Sequence, residues 1–527
     1  MTQTQSRRNF LRNVGIAGGA GVMLHSMGAL GLTSAHAAET PSFTPPKPSD
    51  LARAGSKSVV ILGGGIAGLT AAYELLKGGY KVTVLEGRER PGGRNFTVRG
   101  GTRVTDLNGV TQVAGFSKGQ YMNAGPGRLP QSHITLDYCK ELGVPIEAFT
   151  NQNANALLYY PGDHGIGAVQ MRHAKADTYG YVSELLAKAT DKGALDEELT
   201  AADKEALIAF LRNFGDLGSK AEGYAYTGSS RAGYTVEPGA GQESGTEVAP
   251  NSMSAVLAAG LGQYFSFEFG YDQAMMMYQP VGGMDAIPKA FAQAVGARNI
   301  RYGAEVVEWN NTSTGVSVAY KARGRTETIK ADFAINCMPP NIAAKVQHNL
   351  GADITASLKS FGPSNAGKIG IEYDRRWWEE DFRIYGGITN TRLDLRNMWH
   401  PSYGFNGDKG TMIGYYNTGS AADTYGALSP AQRLSRAVDM GKQIFGDVYG
   451  EGITASYSQD WKSQKFSEGA WAYSTTADTD PLYTRLLDAT GNTYFAGDHL
   501  SHSVAWQHGA ITAARAAVEK LHARVTA

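Results

Sequence analysis

Apolar runs early in the chain predict a strand, a helix and a second strand in close succession. Residues 59–62 form an unbroken apolar run, which is typical of a parallel strand buried on both faces. Residues 69–77 have the composition and spacing of a helix, and apolar side chains at positions 82, 84 and 85 mark a second strand. Strands that alternate with helices in this way predict an α/β fold.

The rest of the chain shows further strand patterns on either side of a helical middle. Residues 193–214 mix charged and apolar positions as an amphipathic helix does, and residues 223–250 are rich in loop-forming residues. Together they predict a helical lobe with a long insertion over the entrance to an active site. Other patterns predict a strand at 304–309, a strand and an aromatic-rich turn at 366–382, a strand at 493–495 and a helix at 509–521.

Composition and charge exclude several kinds of protein. The chain has 527 residues, 42% of them hydrophobic and 19% charged, which suits a globular protein with two or more lobes. Lys plus Arg and Asp plus Glu both number 49, so no overall basic charge favours nucleic acid or an anionic membrane. Cys139 and Cys337 lack metal-binding spacing, so we expect no metal site. Two free thiols are favoured, and a disulfide between them is the alternative.

The N-terminus has the features of an export signal. Arg7 and Arg8 precede a mildly apolar, glycine-rich stretch, and Ala35 and Ala37 form a small-x-small cleavage signature. The pattern resembles a twin-arginine signal peptide; a disordered basic N-terminus is the alternative. Because Gly, His and Ser interrupt the apolar stretch, it is too weak for a stable membrane anchor. We therefore expect a signal peptide at 1–38, an extended linker at 39–55 and a periplasmic or secreted protein.

A glycine motif lies between the first predicted strand and the first predicted helix. Gly63, Gly65 and Gly68 fit the pattern G-x-G-x-x-G. In a dinucleotide site the first glycine permits the turn, the second lets the backbone approach a pyrophosphate, and the third lets the helix pack on the strand. Glu86 ends the second strand, where a carboxylate accepts hydrogen bonds from ribose hydroxyls. A glycine-rich structural turn is the alternative.

Two further motifs carry a family resemblance. The sequence RERPGGR at 88–94 forms a second anion-ready turn after Glu86, which NAD enzymes do not need. The sequence AGDHLSHSVAWQHGA at 496–510 ends a strand with a carboxylate and begins an alanine-rich helix. Together with the GGM turn in 279–291, these motifs resemble those of the bacterial FAD-dependent L-amino acid oxidases of the flavin monoamine oxidase superfamily. The resemblance covers residues from about 56 to 525.

The resemblance implies an α/β fold with three parts. These are a Rossmann-like FAD-binding domain of the glutathione-reductase type, an α+β substrate-binding domain and a helical lobe. The FAD is expected to be non-covalent, because neither cysteine lies in the C-terminal flavin motif. The expected boundaries are 56–98, 284–362 and 480–527 for the FAD-binding domain, 99–170, 276–283 and 363–479 for the substrate-binding domain, and 171–275 for the helical domain.

The same resemblance assigns roles in cofactor binding. By it, Glu86 holds the adenosine ribose with Arg88 beside it. Arg94 supports the cofactor phosphates and Asp498 binds the flavin side, although helix capping by Asp498 and plain core packing by Trp506 are alternatives. The residues implied in cofactor binding are Gly63, Gly65, Ile66, Ala67, Gly68, Glu86, Arg88, Gly93, Arg94, Gly127, Arg128, Val306, Asp498, Val504, Ala505 and Trp506.

The loop NAGPGRLPQSH at 123–133 indicates a substrate class. A Gly-Pro-Gly turn presents Arg128, and a planar guanidinium can hold a carboxylate through two parallel bonds. L-amino acid oxidases carry a comparable arginine, although this chain has Gly127 where methionine is frequent. By resemblance, Lys368 reaches flavin N5 through a water and Tyr416 contacts the carboxylate; ordinary strand positions are the alternatives. The implied catalytic residues are Arg128, Lys368, Tyr416 and Trp506.

The expected function is therefore FAD-dependent oxidative deamination of L-amino acids. The products are 2-oxo acids, ammonia and H₂O₂, and O₂ is the electron acceptor. One alternative is a flavin amine oxidase or dehydrogenase that acts on another amine or uses another acceptor, and a second is a flavin-binding protein without turnover. The expected partners are small molecules only, with a homodimer left open.

Overall fold

The structure is a computed structural model that describes residues 42–52, 55–265, 270–474 and 480–527. The predicted signal peptide at 1–38 lies outside the described residues, together with the start of the predicted linker. Phe43–Ala527 pack as one compact unit. The boundaries expected between three domains within this unit stay a prediction.

Part of the segment predicted as an extended linker packs against the C-terminal helix. The ring of Phe43 lies 4.7 Å from the guanidinium of Arg515. The Thr44 N–H donates to Glu519 Oε1 at 2.7 Å. A 3₁₀ helix follows at Pro48–Ala52. The proline-rich composition predicts an open chain here, whereas these tertiary contacts hold it on the body of the protein.

A parallel sheet carries the glycine motif and confirms the predicted α/β fold. Its central strand is Ser58–Leu62, whose last four side chains are at most 1% exposed. Burial of each such aliphatic side chain contributes about 1.5–3 kcal/mol. The order of the parallel strands is Ile300–Arg301, Lys81–Leu85, Ser58–Leu62, Phe333–Asn336 and Thr493–Phe495.

Two helices pack beside this sheet and against each other. The first is Ile66–Lys77, which begins directly after Gly65 and three residues earlier than the pattern predicts. The last is Gln507–Thr526, which extends beyond the predicted 509–521 at both ends. Each follows the carboxyl end of a strand, so both N-termini lie at the edge where ligands bind in parallel sheets.

A smaller sheet follows the GGM turn. Its strand Glu305–Asn311 begins one residue later and ends two residues later than the predicted strand at 304–309. A bulge lies directly after Val306. The order of the strands is Arg325–Ala331, Val316–Ala322, Glu305–Asn311 and Gln347–His348.

A larger mixed sheet holds the predicted substrate-side residues. Ala366–Tyr373 and Gly410–Thr418 are antiparallel neighbours in which Lys368 lies opposite Tyr416. Every residue of Ala366–Tyr373 is buried, so Lys368 is an interior lysine and not a surface one. The order of the strands is Ile453–Asp460, Ala366–Tyr373, Gly410–Thr418, Asn397–His400, Gly387–Thr391, Leu157–Tyr159 and Val169–Gln170.

The amphipathic helix predicted at 193–214 is shorter than its pattern indicates. It spans Ala201–Gly215, because Thr200 and Asp203 form a capping box that begins the helix there. It packs against the long helix Met171–Asp191. The loop-rich region 223–250 contains one small hairpin, formed by Tyr234–Val236 and Thr246–Glu247.

Smaller elements connect these parts. Two-stranded ribbons pair Thr97–Arg99 with Tyr121–Asn123, Arg103–Thr105 with Thr111–Val113, Ile146–Thr150 with Met276–Pro280, and Gly362–Ser364 with Trp471–Tyr473. Further helices are Thr135–Glu141, Met253–Ala259, Ala286–Val295, Pro340–Ala343, Ala352–Ser360, Trp377–Glu380, Gly419–Gly426, Pro430–Phe445 and Pro481–Thr484. Short 3₁₀ helices lie at Lys220–Glu222, Ser230–Ala232, Leu261–Tyr264, Ala297–Asn299, Asp447–Gly450 and Asp498–Leu500. No helix within the described ranges has the length and apolar character needed to cross a membrane.

Candidate active site

A cavity of about 730 Å³ is lined by residues of the parallel sheet, the mixed sheet and the loops between them. It brings together nearly all residues that the sequence singles out, from positions 63 to 506. Two exceptions, Gly68 and Val504, do not line it. Those that do are Gly63, Gly65, Ile66, Ala67, Glu86, Arg88, Gly93, Arg94, Gly127, Arg128, Val306, Lys368, Tyr416, Asp498, Ala505 and Trp506.

The two exceptions have different physical reasons. A Cβ on Gly68 would lie 1.9 Å from the carbonyl oxygen of Gly63 and 3.1 Å from Cγ2 of Ile61. Gly68 therefore lets the helix pack on the strand, as predicted, and on the glycine loop, but it does not line the cavity. Val504 lies just before Ala505, which has a φ of +69°. Ala505 lines the cavity, whereas Val504 does not. The structure therefore does not place Val504 where the resemblance implies a contact with the cofactor.

The glycine loop forms a cradle for phosphate groups. Gly63 has a φ of +106°, which favours glycine. Gly65 begins the helix without a side-chain cap, so the first helical N–H groups are left for a ligand. The Gly92 N–H donates to Gly64 O at 2.8 Å, which ties the second glycine turn to the first.

Glu86 is a buried carboxylate at the wall of the cavity. It is 4% exposed, and its Oε2 accepts from the Gly64 N–H at 2.7 Å. Its Oε1 accepts from the Arg88 N–H at 2.8 Å. The Arg88 guanidinium turns the other way and donates to Lys465 O and Ser467 Oγ. Two backbone donors therefore fix the carboxylate at the cavity wall.

Arg94 and Asp498 join the second glycine turn to the C-terminal motif. Both guanidinium Nη atoms of Arg94 contact the Asp498 carboxylate, and Nη1 also donates to Ala470 O at 2.7 Å. The Ala505 N–H donates to Asp498 Oδ2 at 3.0 Å. Burial raises the pKa of Asp498, but the charge of Arg94 and the hydrogen bonds from Arg94 and the Ala505 N–H outweigh burial and leave the pKa below its usual range. Asp498 is therefore a charged anchor that links the second glycine turn to the C-terminal motif.

Lys368 anchors the loop that presents Arg128. It is 4% exposed, and its Nζ donates to Gly125 O at 2.5 Å and to Asn123 O at 3.3 Å. Burial, and then the nearby charge of Arg128, lower the pKa of Lys368 from 10.5 to about 7. Lys368 can therefore exchange a proton near neutral pH.

Arg128 is held only by neutral partners among the described residues. Its Nη1 donates to Asn151 Oδ1 at 2.8 Å, its Nη2 donates to Gln273 Oε1 at 3.4 Å, and its guanidinium lies 5.0 Å from the ring centre of Trp399. Burial leaves its charge poorly solvated and therefore lowers its pKa. An arginine remains protonated even so, and its further N–H groups are left for an anion.

The packing around Gly127 explains why the loop lacks methionine there. A Cβ at Gly127 would lie 2.6 Å from Cζ3 of Trp399. The indole thus occupies the space that a side chain at 127 would need. Trp399 also packs edge-on against Tyr416, with ring centres 5.3 Å apart.

Several residues that shape the site have no signal in the sequence motifs. Trp399 and Trp461 line the cavity, and Trp461 Nε1 donates to Ala124 O at 2.9 Å. Asn151 and Gln273 hold Arg128 from two different segments. An aromatic-rich composition could have indicated such a wall, but no spacing rule identifies which aromatic residues form it.

The ion pairs of the cavity leave an excess of positive charge at one end. Glu305 pairs with Lys465, and Glu468 and Asp498 also pair with cations, whereas Glu86 is held by backbone N–H groups. Among the described lining residues, Arg128 and Lys368 have no carboxylate partner. This end of the cavity therefore favours an anionic group.

Both cysteines are free thiols. Cys139 is buried in the core, and burial raises its pKa to about 12. Cys337 lines the cavity near the glycine loop, and burial also raises its pKa far above the usual range. The disulfide that the composition left open is not formed.

Comparison with known proteins agrees with a flavin site. The family model described as flavin containing amine oxidoreductase matches residues 66–522. An L-amino-acid oxidase of Protobothrops flavoviridis is 27% identical over 468 residues, which cover 85% of this chain and 86% of the relative.

Solved structures show the same fold. Cyclohexylamine oxidase from Brevibacterium oxydans IH-35A has a TM-score of 0.60 at 17% identity and covers 89% of this chain and 99% of its own. Putrescine oxidase bound to putrescine has a TM-score of 0.58 at 18% identity, with the same coverage. These neighbours support the Rossmann-like FAD-binding fold. The glycine cradle and Glu86 fit the dinucleotide part of FAD, with Arg94 and Asp498 beside them.

Proposed function

We propose that this protein, which belongs to the family of flavin-containing amine oxidoreductases, oxidises L-amino acids to 2-oxo acids and ammonia. FAD, held by the glycine loop, Glu86, Arg94 and Asp498, would supply the hydride acceptor for the substrate Cα–H, and O₂ would take up the two electrons to give H₂O₂. The observation that supports an amino acid is Arg128, a guanidinium held at the cavity wall by neutral acceptors. Its charge would be balanced by a substrate carboxylate.

The charge of the cavity argues against amines without a carboxylate. An amine or diamine would bring further positive charge to Arg128, which already lacks an acidic partner among the described lining residues. An amino acid brings a carboxylate for Arg128 and presents its amine to the other groups. The named activity of the Protobothrops relative is in line with this proposal.

The side chains around Arg128 would hold the substrate and exclude water. Trp399 and Tyr416 form an apolar wall in which electrostatic contacts are strengthened. Above pH 7 the Nζ of Lys368 is mostly neutral and can accept a proton or hydrogen bond near the substrate amine. The imino acid that remains after hydride loss is hydrolysed by water to the 2-oxo acid and ammonia.

A matched pair of substrates tests the proposal. We expect L-amino acids, tested as a panel against their decarboxylated amines and beginning with phenylalanine and phenethylamine, to reduce the bound flavin with a kcat/KM at least about tenfold above that of the amine, which is about 1.4 kcal/mol of transition-state binding. Stopped-flow absorbance measures the reduction, and H₂O₂ release measures the oxidase step. Faster reduction by phenethylamine would favour an amine oxidase. Fast reduction by phenylalanine with slow reoxidation by O₂ would indicate a dehydrogenase.

We also propose export through the twin-arginine route to the periplasm or the outside of the cell. The pair Arg7 and Arg8 and the small residues at 35 and 37 support this location. We expect Arg7→Lys with Arg8→Lys to leave active, FAD-containing protein in the cytoplasm. Cell fractionation with an activity assay measures this, and unchanged export would refute the route.

A further inference from the structure

We propose that Asp272 is a positioning residue for the substrate carboxylate, acting through Gln273 and Arg128. His133 Nε2 and Asp272 Oδ1 lie 2.7 Å apart, and the next residue, Gln273, accepts from Arg128 Nη2. His133 belongs to the same loop as Arg128. The His133–Asp272 pair therefore joins the two segments that meet at the Arg128–Gln273 contact.

His133 is a fixed anchor for this pair. Its side chain is 2% exposed and stacks on His508 at 4.5 Å between ring centres, with the edge of Trp506 at 5.1 Å. Its Nδ1 has no hydrogen-bond partner among the described residues. A proton on Nε2 makes that atom the donor to Asp272 and leaves Nδ1 as a bare acceptor, which avoids a buried, unpaired N–H. Asp272 is 29% exposed, so it is the less buried partner of the pair.

The segment that carries Gln273 needs such an anchor. Regular pairing with the neighbouring strand begins only at Met276. Before it, Met275 O accepts from the Asn151 N–H at 2.9 Å, while Tyr271 is 75% exposed. The 3.4 Å contact between Gln273 and Arg128 is too long to hold this segment by itself. The segment is thus held before Gln273 by the side chain of Asp272 and after Gln273 by the backbone of Met275.

This inference rests on the proposed function, because Asp272 would act only on substrates whose carboxylate Arg128 binds. Without the pair, Gln273 would leave Arg128, and the guanidinium would lose one of its two side-chain acceptors. Rotational freedom of the guanidinium weakens a bidentate contact, which depends on geometry. We expect weaker carboxylate binding and unchanged handling of simple amines.

Binding of 3-phenylpropanoate, which is phenylalanine without its amine, provides a readout apart from turnover. We expect Asp272→Ala to raise its Kd about tenfold, measured by the change in flavin absorbance on titration. Asp272→Asn keeps the Oδ1 acceptor, so its Kd should stay within about twofold of the parent. Asp50→Ala is the matched control, since Asp50 contacts His522 at 3.2 Å away from the lining of the cavity.

Flavin reduction by phenylalanine and phenethylamine separates positioning from general damage. Asp272→Ala should slow reduction by phenylalanine at low concentration and leave phenethylamine within about twofold. In an Arg128→Met background, Asp272→Ala should not raise the Kd of 3-phenylpropanoate further, because both changes act on the same chain of contacts. If Asp272→Ala loses FAD, Gln273→Leu, which keeps the His133 pair, should show the same raised Kd.

The outcomes distinguish the two proposals. If Arg128→Met weakens 3-phenylpropanoate binding but neither Asp272→Ala nor Gln273→Leu does, the positioning role is refuted and the proposed function stands. If Arg128→Met leaves binding unchanged, the carboxylate site itself is refuted, and the positioning role with it. Equal losses for phenylalanine and phenethylamine in Asp272→Ala would show a merely structural residue.

Discussion

Single residues set the electrostatics of the site. Arg128 and Lys368 lie at the same end of the cavity, and the charge of Arg128 is one cause of the low pKa of Lys368. Neither has a carboxylate partner among the described lining residues. The charge of Arg128 is therefore uncompensated until an anion enters, and it disfavours a second charge on Lys368. Each of the two residues can be tested by a single substitution.

We expect Arg128→Met to keep the fold and FAD but to lose most activity on amino acids. Loss of a buried, charge-assisted contact costs about 3–5 kcal/mol, which is on the order of a hundred- to several-thousand-fold in kcat/KM. Stopped-flow flavin reduction by phenylalanine measures it, with the exposed Arg298→Met as control. Reduction as fast as in the parent protein would show that Arg128 is an ordinary loop residue.

We expect kcat/KM for amino acids to rise with pH through about 7. The free enzyme loses the proton of Lys368 in this range because burial and Arg128 disfavour its charged form, and kcat/KM reports the groups of the free enzyme. In Lys368→Met this step should vanish from the profile, while Lys442→Met, on an exposed helix face, should retain it. A step of the same size in Lys368→Met would assign it to another group.

Packing between elements forms the cofactor end of the cavity. The helix Ile66–Lys77 approaches the glycine loop so closely that only hydrogen fits at Gly68. The second glycine turn is hydrogen-bonded to the first through Gly92 and Gly64. The phosphate cradle thus depends on the contact of one helix with two loops.

We expect Gly68→Ala to reduce FAD occupancy and to destabilise the protein by roughly 1–3 kcal/mol, as overpacking does. The added Cβ would lie 1.9 Å from Gly63 O, so the helix or loop must move. Flavin content after gel filtration and thermal unfolding of the apoprotein measure the two effects. Gly362→Ala, where nothing lies within 4 Å of the new Cβ, is the control. Full FAD occupancy in Gly68→Ala would contradict the packing role.

The cavity that fits FAD lies between the parallel sheet and the mixed sheet. The burial of the two cysteines affects whether FAD can be attached covalently. A thioether link requires a reactive thiolate. Burial raises the pKa of both cysteines, and neither lies in the C-terminal flavin motif. The enclosure therefore favours FAD that is held by packing and hydrogen bonds alone.

We expect the purified protein to be yellow and to release its FAD on denaturation. Ultrafiltration of the denatured protein should place the flavin absorbance in the filtrate. Flavin that stays with the chain would contradict non-covalent binding, and Cys337→Ser would then test the one cysteine that lines the cavity. A colourless protein that binds no added FAD would contradict the assignment of the cofactor site.

The local motifs could be interpreted from the sequence because their physics is local. A turn that needs glycine, a helix that follows it and an acid at the next strand end lie within 63–86, so the FAD-binding α/β fold was predictable and is confirmed. Helix ends were less accurate. The start at Ala201 depends on a capping box that competes with a longer periodic pattern.

The environment of Arg128 could not be predicted, because it is made by contacts across the chain. Gln273 is 145 residues from Arg128, and Trp461 is 337 residues from the Ala124 carbonyl it binds. No periodicity links such positions, since burial and contact follow from how the sheets pack. The sequence thus specifies the dinucleotide cradle and the arginine, whereas tertiary packing sets the pKa of Lys368 and leaves the charge of Arg128 without an acidic partner in the described cavity.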